Sequence, residues 1–521
     1  MQTTPLSLVL GVDVGTSGLR AVLLDRDGGF VDEATSEYEL RSPQPGWAEQ
    51  DPDRWFAALR DALAMLWARG YSGSQVSAIG LTGQMHSLVV LDADGGVVCP
   101  ALLWCDQRTG AECLEITERI GAERLLERTG NVALAGFTAP KILWIRRHWP
   151  EAFARAAHLL LPKDFIRQRL TGAFVTEMSD ASGTLLFDVR GRRWADDIIA
   201  ELGIDPGLLP ATVEGDVVTG VVHAEAARLL GLVEGTPVVA GGGDNAAAAV
   251  GLGAVDPGVL TLSVGTSGVI FAPLDRYPTQ VDGRLHVFCH AVPNRWHLMS
   301  VTMAAGGSLH WLRDLLSPLL PVDSDAAYDW LTARAAAADP GSGGVVFLPY
   351  ISGERTPHAD PAARGVFYGL HMGIGLDEMV RSVLEGVAFS QRQGLDLMRE
   401  AGAAAVMARG AGGGLSSPLW RQILADALGG GLQLAGPAIG AARGTAVLAG
   451  LGTGVYDDVD VGMDWASQPI QAPDPAGAAA LEHAFTTYAA LYPRLRPVFQ
   501  AGGARARSRL RSRPPSSTMR R

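Results

Sequence analysis

One seven-residue pattern occurs twice in the chain, about 250 residues apart. Val-Asp-Val-Gly-Thr-Ser-Gly at 12–18 returns as Leu-Ser-Val-Gly-Thr-Ser-Gly at 262–268. In each copy an apolar run leads into the turn and another follows it, which is typical of a β-hairpin with small residues at its tip. A repeat at this distance predicts two homologous halves, each with its own sheet.

The length and composition agree with this reading. At 521 residues the chain is too long for one compact core, and 47% hydrophobic against 19% charged residues is a globular composition. The net charge of −12 argues against a general binder of nucleic acid or of anionic membranes.

The cysteines and the N-terminus bear on the cellular compartment. The four cysteines form no C-x-x-C pair, so free thiols in a reducing cytosol are the simplest account. The N-terminus lacks the basic segment of a signal peptide, and no stretch offers about 18 uncharged apolar residues in a row. We therefore expect a cytoplasmic protein that does not bind membranes.

A glycine-rich stretch lies between the two hairpins. Pro-Val-Val-Ala-Gly-Gly-Gly-Asp-Asn-Ala occupies 237–246, so an apolar run leads into three glycines and then into Asp244. Three glycines let the backbone approach a ligand closely, and an acid held there is placed to meet that ligand. The same string is also typical of a turn with Asp244 as a helix N-cap.

The two repeated turns suit phosphate oxygens. A tight turn of Gly, Thr and Ser presents backbone N–H groups and hydroxyls in a small concavity. Neither a Walker A pattern nor a G-x-G-x-x-G that opens a βαβ unit occurs, so a nucleotide site would be formed by the paired hairpins. The candidate phosphate-binding residues are Gly15, Thr16, Ser17, Gly265, Thr266 and Ser267.

Two acids have separate candidate roles. Asp13 precedes the first turn, whereas Ser263 occupies the matching position in the second copy. Asp13 is placed to hold Mg²⁺ directly or through water, or else simply to form the turn. Phosphoryl transfer also needs a residue that accepts the proton of the attacking hydroxyl, and Asp244 fits that role. Since an aspartate is a weak base for an alcohol, proton transfer is expected late in the reaction.

Two short segments offer hydrogen-bond partners and an apolar wall for a polyol or ketose. Gln84-Met85-His86 follows a predicted strand, and Trp104 lies near Asp106. A histidine beside a strand is often only structural, so these residues gain weight from the resemblance that follows.

Several separated motifs together resemble the FGGY carbohydrate kinases of the actin-like ATPase superfamily, and within them the xylulokinases. The likeness runs from about residue 8 to residue 497. The motifs are D-V-G-T-S-G at 13–18, G-Q-M-H at 83–86, G-F-T-A-P-K at 136–141, L-P-K-D at 161–164, M-S-D-A-S-G-T at 178–184, G-G-G-D-N-A at 241–246, S-V-G-T-S-G at 263–268, S-G-E-R-T-P-H at 352–358 and G-G-G at 412–414.

This resemblance implies an α/β fold of two homologous actin-like (ribonuclease H-like) domains with a cleft between them. The expected N-terminal domain, 1–255, binds sugar and carries the catalytic base, and the expected C-terminal domain, 256–500, binds nucleotide. The basic residues 501–521 are expected to be disordered. The implied reaction transfers the γ-phosphate of ATP to D-xylulose with Mg²⁺, giving D-xylulose 5-phosphate, and a homodimer is a fair expectation.

The resemblance also implies roles for individual residues. Asp244 matches the catalytic base, and Asp13 matches the acid that works with metal and phosphates. The implied sugar contacts are Met85, His86, Trp104, Asp106 and Asn245. The implied nucleotide contacts beyond the two turns are Gly306, His310, Gly413 and Gly414.

The chain also departs from the family pattern, and alternatives stay open. Cys105 stands where the family usually has Asn, and Arg443 interrupts a normally small and apolar stretch. In glycerol kinases Arg and Glu follow the corresponding Gln, so Met85 and His86 favour a ketose. A sister kinase for ribulose, xylitol or glycerol remains an alternative, as does an actin-like nucleotide switch, which would leave Asp244 without a role.

Overall fold

The computed structural model describes residues 7–278, 280–322, 326–436 and 440–511. Within these ranges, helices that combine the length and the apolar surface of a bilayer-spanning segment are absent. The N-terminal half contains β1 (Leu8–Val14), β2 (Gly18–Leu24), β3 (Phe30–Glu37), β4 (Glu49–Gln50), α1 (Pro52–Ala68), β5 (Val76–Gly83), β6 (Val89–Leu91), β7 (Ala101–Leu102), α2 (Gly110–Ile120), α3 (Ala122–Thr129), α4 (Thr138–His148), α5 (Pro150–Phe153), β8 (His158–Leu160), α6 (Pro162–Thr171), β9 (Val175–Glu177), α7 (Met178–Ser182), β10 (Phe187–Asp188), β11 (Arg193–Trp194), α8 (Asp196–Glu201), β12 (Ala211–Val213), β13 (Val218–Val221), α9 (Ala224–Leu230), β14 (Pro237–Gly243) and α10 (Asp244–Gly251).

The C-terminal half repeats the same kind of framework. It contains β15 (Gly258–Val264), β16 (Gly268–Leu274), β17 (His286–Cys289), β18 (Trp296–Thr302), α11 (Gly306–Leu316), α12 (Ala327–Ala337), β19 (Val346–Leu348), β20 (Val366–Tyr368), α13 (Leu376–Glu400), β21 (Ala405–Ala411), α14 (Pro418–Leu428), β22 (Gly431–Leu434), α15 (Ala441–Thr453), β23 (Ile470–Gln471) and α16 (Pro475–Arg511).

The two main sheets share one topology. The first has the strand order β13-β14-β5-β1-β2-β3, and the second has β17-β18-β16-β15-β21-β22-β23. In each sheet the repeated hairpin is antiparallel, and its first strand pairs in parallel with β5 or with β21. The duplication predicted from the repeated turn is therefore confirmed.

Strand β1 is buried on both faces, as expected of a strand inside a mostly parallel region. Leu8, Leu10 and Val12 pack in one core with the buried face of α1, whereas Val9 packs in another core with α15. Successive side chains on a strand point to opposite faces, which explains this division. Helix α15 thus covers the N-terminal sheet, although it lies in the C-terminal part of the sequence.

Glycines allow α15 to approach its neighbours closely. A Cβ on Gly11 would lie 1.9 Å from the carbonyl oxygen of Ala442, and one on Gly444 would lie 1.7 Å from that of Ala247 in α10. Arg443 of α15 also contributes to this packing. It donates hydrogen bonds to the carbonyl oxygens of Gly28 and Val461 at 2.8 and 2.6 Å. The structure therefore accounts for the charged residue in this small-residue helix.

Local signals in the sequence set several helix ends. Asp51 caps α1 by accepting from the backbone N–H of Asp53, and Ser417 caps α14 by accepting from that of Trp420. Helix α16 continues to Arg511, into the range that the sequence predicts to be disordered. The rest of that range, 512–521, lies outside the described residues. The cysteines are free thiols, as predicted.

Candidate active site

Asp13, Met85, His86 and Asp244 lie at the ends of three adjacent strands or directly after them. In the sheet register, Asp13 at the end of β1 pairs with Thr82 of β5, and Thr82 pairs with Gly242 of β14. Because these strands are parallel, their carboxyl ends meet at one edge of the sheet, where α/β proteins bind ligands. Residues after β5 and β14, including His86 and Asp244, leave the sheet at this same edge.

Asp244 is the first residue of α10 and is partly buried. Its Oδ1 accepts hydrogen bonds from the backbone N–H and the side-chain amide of Asn245, at 2.7 and 2.9 Å. Burial raises the pKa of Asp244 to about 6, and the bonds from Asn245 oppose this rise. The carboxylate is therefore ionised at neutral pH, yet it is a stronger base than an ordinary aspartate. Asn245 is placed to orient Asp244, in addition to its predicted contact with sugar.

Asp13 carries a buried carboxylate oxygen with an unusual environment. Burial and then the charge of Asp244 raise the pKa of Asp13 to about 7, whereas Arg20 lowers it. Its Oδ1 has no hydrogen-bond partner within the described part of the chain. An unpartnered carboxylate oxygen beside a phosphate-binding turn fits a hard cation such as Mg²⁺. The described residues contain no group of three acidic, His or Cys side chains that could hold a metal ion by themselves.

Met85 and His86 lie close to the glycine-rich segment that precedes Asp244. Met85 is buried, and a Cβ on Gly243 would lie 2.8 Å from its Cγ, so Met85 packs directly on the residue before Asp244. The Nδ1 of His86 lies 2.6 Å from the carbonyl oxygen of Gly183. Since a carbonyl only accepts, Nδ1 carries the proton and donates it. Burial lowers the pKa of His86 to about 3, so the neutral ring leaves Nε2 as an acceptor for a sugar hydroxyl.

The two predicted sugar residues of the Trp104 segment lie in different environments. Trp104 is 39% exposed, and its indole N–H donates to the hydroxyl of Thr16 at 2.9 Å, which places it beside the first phosphate turn. Asp106 is completely buried, and it accepts from the backbone N–H of Ala48 at 2.6 Å and from the side chain of Arg108. Asp106 is therefore a structural ion-pair residue, and its predicted sugar contact is not supported by its position.

The first Gly-Thr-Ser-Gly turn has its carbonyls engaged by the protein. The hydroxyl of Tyr38 donates to the carbonyl oxygen of Gly15 at 2.6 Å, and the side-chain amide of Gln50 donates to that of Thr16 at 2.7 Å. Within the described ranges, the backbone N–H groups of Thr16 and Ser17 donate no hydrogen bond. A turn held in this way presents its N–H groups outward, as phosphate binding needs.

The second turn opens into a cavity of about 880 Å³ in the C-terminal half. The predicted nucleotide residues that line it are Gly265, Thr266, Gly306, His310, Gly413 and Gly414. Ser267 and the three residues of the first turn lie outside its lining. The turn is anchored from α11, since the N–H of Gly306 donates to the carbonyl oxygen of Gly265 at 2.7 Å.

Further residues of this cavity escaped prediction from the sequence. Trp311, Tyr328 and Trp420 give it aromatic and apolar walls suited to a nucleobase. His310 is exposed, and its Nδ1 lies 3.0 Å from the hydroxyl of Tyr328. The three aromatic residues lie on three different helices, so the sequence signals for this site were limited to the hairpin, the glycine motif and the segment that contains Gly306 and His310.

Comparison with known proteins agrees with this architecture. Residues 8–251 match the N-terminal domain of the FGGY family of carbohydrate kinases, and residues 260–453 match its C-terminal domain. The xylulose kinase of Escherichia coli (strain K12) is 43% identical over 441 residues, which cover 84% of this chain and 89% of the relative. The xylulose kinase of Bacillus subtilis (strain 168) is 36% identical over 453 residues, which cover 87% of this chain and 89% of the relative.

A solved structure gives the same result for the fold. The xylulose kinase from Rhodospirillum rubrum superimposes with a TM-score of 0.86 at 32% identity, covering 95% of this chain and 100% of that one. The predicted α/β fold of two actin-like, ribonuclease H-like domains is thereby confirmed. With both of its domains matched and its relatives aligned over most of their length, the chain belongs to the FGGY family of carbohydrate kinases.

Proposed function

We propose that this carbohydrate kinase transfers the γ-phosphate of ATP to D-xylulose and releases D-xylulose 5-phosphate. The observation that carries the proposal is the contact of Met85 with Gly243, which puts the predicted sugar segment against the residue before Asp244. The relatives that are named xylulose kinases support the choice of sugar.

In this proposal Asp244 accepts the proton of the attacking hydroxyl. The bonds from Asn245 hold one carboxylate oxygen, so the other is free to face the sugar. A pKa raised by burial brings the base closer to neutral pH, although it stays far below that of an alcohol. The proton therefore moves late, as the phosphoryl group reaches the sugar oxygen.

The sugar would lie against Met85 and would donate a hydroxyl hydrogen bond to Nε2 of His86. A neutral imidazole suits this role, because it accepts at one nitrogen while Gly183 fixes the other. The exposed face of Trp104 would provide a further apolar wall. Asp106 has no part in this arrangement.

ATP would bind with its base in the cavity of the C-terminal half and its phosphates toward the two turns. The outward N–H groups of Thr16 and Ser17 would receive phosphate oxygens. Asp13 would hold Mg²⁺, which when bound neutralises charge on the phosphates. Mg²⁺ itself, a cytoplasmic location and a homodimer remain predictions from the sequence.

A product assay tests the proposal. The protein is given ATP with D-xylulose, D-ribulose, L-ribulose, xylitol or glycerol, with and without Mg²⁺, and ADP and sugar phosphate are measured. We expect the highest kcat/KM with D-xylulose, and activity only with the cation. A higher kcat/KM for another sugar would transfer the proposal to that sugar, and ATP hydrolysis without any phosphorylated sugar would refute it.

A further inference from the structure

The chain contains only two lysines, Lys141 and Lys163, among 43 basic residues. Arginine supplies every other cation, yet both lysines are completely buried. An ammonium is compact and can aim three donors at convergent acceptors, whereas a guanidinium is planar and larger. At both positions, therefore, the arrangement of the surrounding acceptors fits an ammonium better than a guanidinium. Lys163 contacts three buried carboxylates, those of Asp164, Glu177 and Asp180, and so has an ordinary ion-pair role.

Lys141 has a different environment. None of the ion pairs formed by the described residues includes it, and its Nζ instead donates to three backbone carbonyls. It bonds to the carbonyl oxygens of His86 at 3.1 Å and Phe137 at 3.0 Å, and also to that of Gly136. Burial of an ammonium without a carboxylate partner is costly, and it lowers the pKa of Lys141 to about 7. The three carbonyls use all three donors of the group.

One of these carbonyls belongs to a residue in a strained conformation. His86 has a φ of 67°, a left-handed value that residues with a Cβ rarely adopt. Such a conformation persists only where its surroundings fix it firmly. The carbonyl oxygen of His86 accepts from Lys141 and from the hydroxyl of Thr138, while its ring is held by Gly183.

The same ammonium fixes two neighbours of the proposed sugar site. The ring of Phe137 meets that of His86 edge-on, with 4.7 Å between centroids. A Cβ on Gly136 would lie 2.8 Å from the carbonyl oxygen of Trp104, so this turn packs closely on the Trp104 segment. One buried cation therefore joins the histidine, the aromatic ring and the tryptophan segment.

We propose that Lys141 is a positioning residue for sugar recognition. It acts by fixing the positions of His86, Phe137 and the Trp104 segment relative to one another. This inference rests on the proposed function, since it concerns the same sugar site. Lys141 has no expected contact with the sugar, with ATP or with the reacting atoms. Its effect should therefore be mainly on the affinity for sugar, with a much smaller effect on the affinity for ATP through the bond between Trp104 and Thr16.

The first test is the Lys141→Met variant, which keeps the length of the side chain and removes its donors. We expect the KM for D-xylulose to rise on the order of 10-fold or more, with far smaller changes in the KM for ATP and in kcat. Thr129→Val is the control, because it removes a buried hydroxyl of the same half that bonds only to Leu125 and Asn131 and should move neither KM. An unchanged KM for D-xylulose in Lys141→Met, or equal changes in both KM values, would overturn the proposal.

A second measurement keeps the proposal testable if Lys141→Met does not fold. Protein labelled with [¹³Cε]lysine gives only two internal lysine signals, and Lys163 is a built-in reference. The signal that titrates near neutral pH belongs to Lys141, because the pKa of Lys163 is raised by its three carboxylates. D-Xylulose should shift the Lys141 signal and leave that of Lys163 in place. No shift in an enzyme that turns over D-xylulose would refute the inference, whereas absence of turnover by the unmodified enzyme would refute the proposed function instead.

Discussion

The indole N–H of Trp104 donates a 2.9 Å hydrogen bond to the hydroxyl of Thr16. This bond joins the segment proposed to line the sugar site with the turn proposed to bind phosphate. Gln50 holds the carbonyl oxygen of the same Thr16, so the turn is supported on both sides. We therefore expect the binding of sugar and the binding of phosphate to be coupled through this bond.

Trp104→Phe tests this coupling, because it keeps an aromatic ring and removes the N–H group. We expect the dissociation constant for ATP to depend less on D-xylulose in the variant, with a several-fold reduction in the ratio measured without and with sugar. Calorimetric titration with a non-hydrolysable analogue of ATP, without and with D-xylulose, provides both constants. In a double-mutant cycle with Thr16→Val the two effects should be non-additive, and strict additivity would show that the bond carries no coupling.

Asp244→Ala tests the proposed base. Loss of a general base should lower kcat by roughly 10²–10⁴-fold, while ATP binding stays largely intact because the cavity lies in the other half. Asn245→Ala should lower kcat less, since it removes only the side-chain amide bond to Asp244 and leaves the backbone N–H bond and the carboxylate in place. Steady-state kinetics with calorimetric titration of ATP measure both effects. Near-normal turnover by Asp244→Ala would exclude Asp244 as the base.

The pH dependence of the reaction follows from the raised pKa of Asp244. A base must be deprotonated, so kcat/KM for D-xylulose should fall about tenfold per pH unit below the pKa, which lies at about 6. An ordinary aspartate would keep the activity down to about pH 4. Rates measured between about pH 5 and pH 8 would distinguish the two cases. A flat profile over that range would contradict the assignment.

Asp13 should make the protein less stable as the pH rises. Its folded-state pKa of about 7 exceeds the ordinary value of 3.8, so the folded state binds more protons between these values than the unfolded state. Stability therefore falls with rising pH across this window. Asp13→Asn should stabilise the protein at pH 8 by about 1–2 kcal/mol and have little effect below about pH 4. Chemical denaturation at both pH values measures the difference, and a pH-independent effect would argue against a buried charge.

The sequence predicted those parts of the site that depend on strand ends and turns. Asp13 lies at the end of one strand of the sheet, and His86 and Asp244 follow two neighbouring strands, so their meeting at one edge follows from local pattern and topology. The role of Asp106 was missed because it depends on the backbone N–H of Ala48, which donates to its carboxylate at 2.6 Å. That partner comes from a distant segment, and no local spacing reveals it.

Arg443 is a second residue whose role could not be predicted from the sequence. The sequence offered no account of a charge in a helix of small residues, and the account lies in carbonyls of two separate loops. Likewise, the three carbonyls around Lys141 converge only once α4 and the segment after β5 have packed. Pairings over long sequence distances decide which polar residues serve the fold and which face the substrate.

Gly444→Ala tests the close crossing of α10 and α15. Its Cβ would lie 1.7 Å from the carbonyl oxygen of Ala247, so the helices must move apart. We expect a loss of about 3 kcal/mol or more in the free energy of unfolding, measured by chemical denaturation. Gly110→Ala is the matched control, because its Cβ would meet nothing within 4 Å at the start of α2 and should change stability by about 0.5 kcal/mol or less. If both variants were equally stable, α15 would not pack on α10 as described, and the covering of the N-terminal sheet by a helix of the C-terminal half would have to be abandoned.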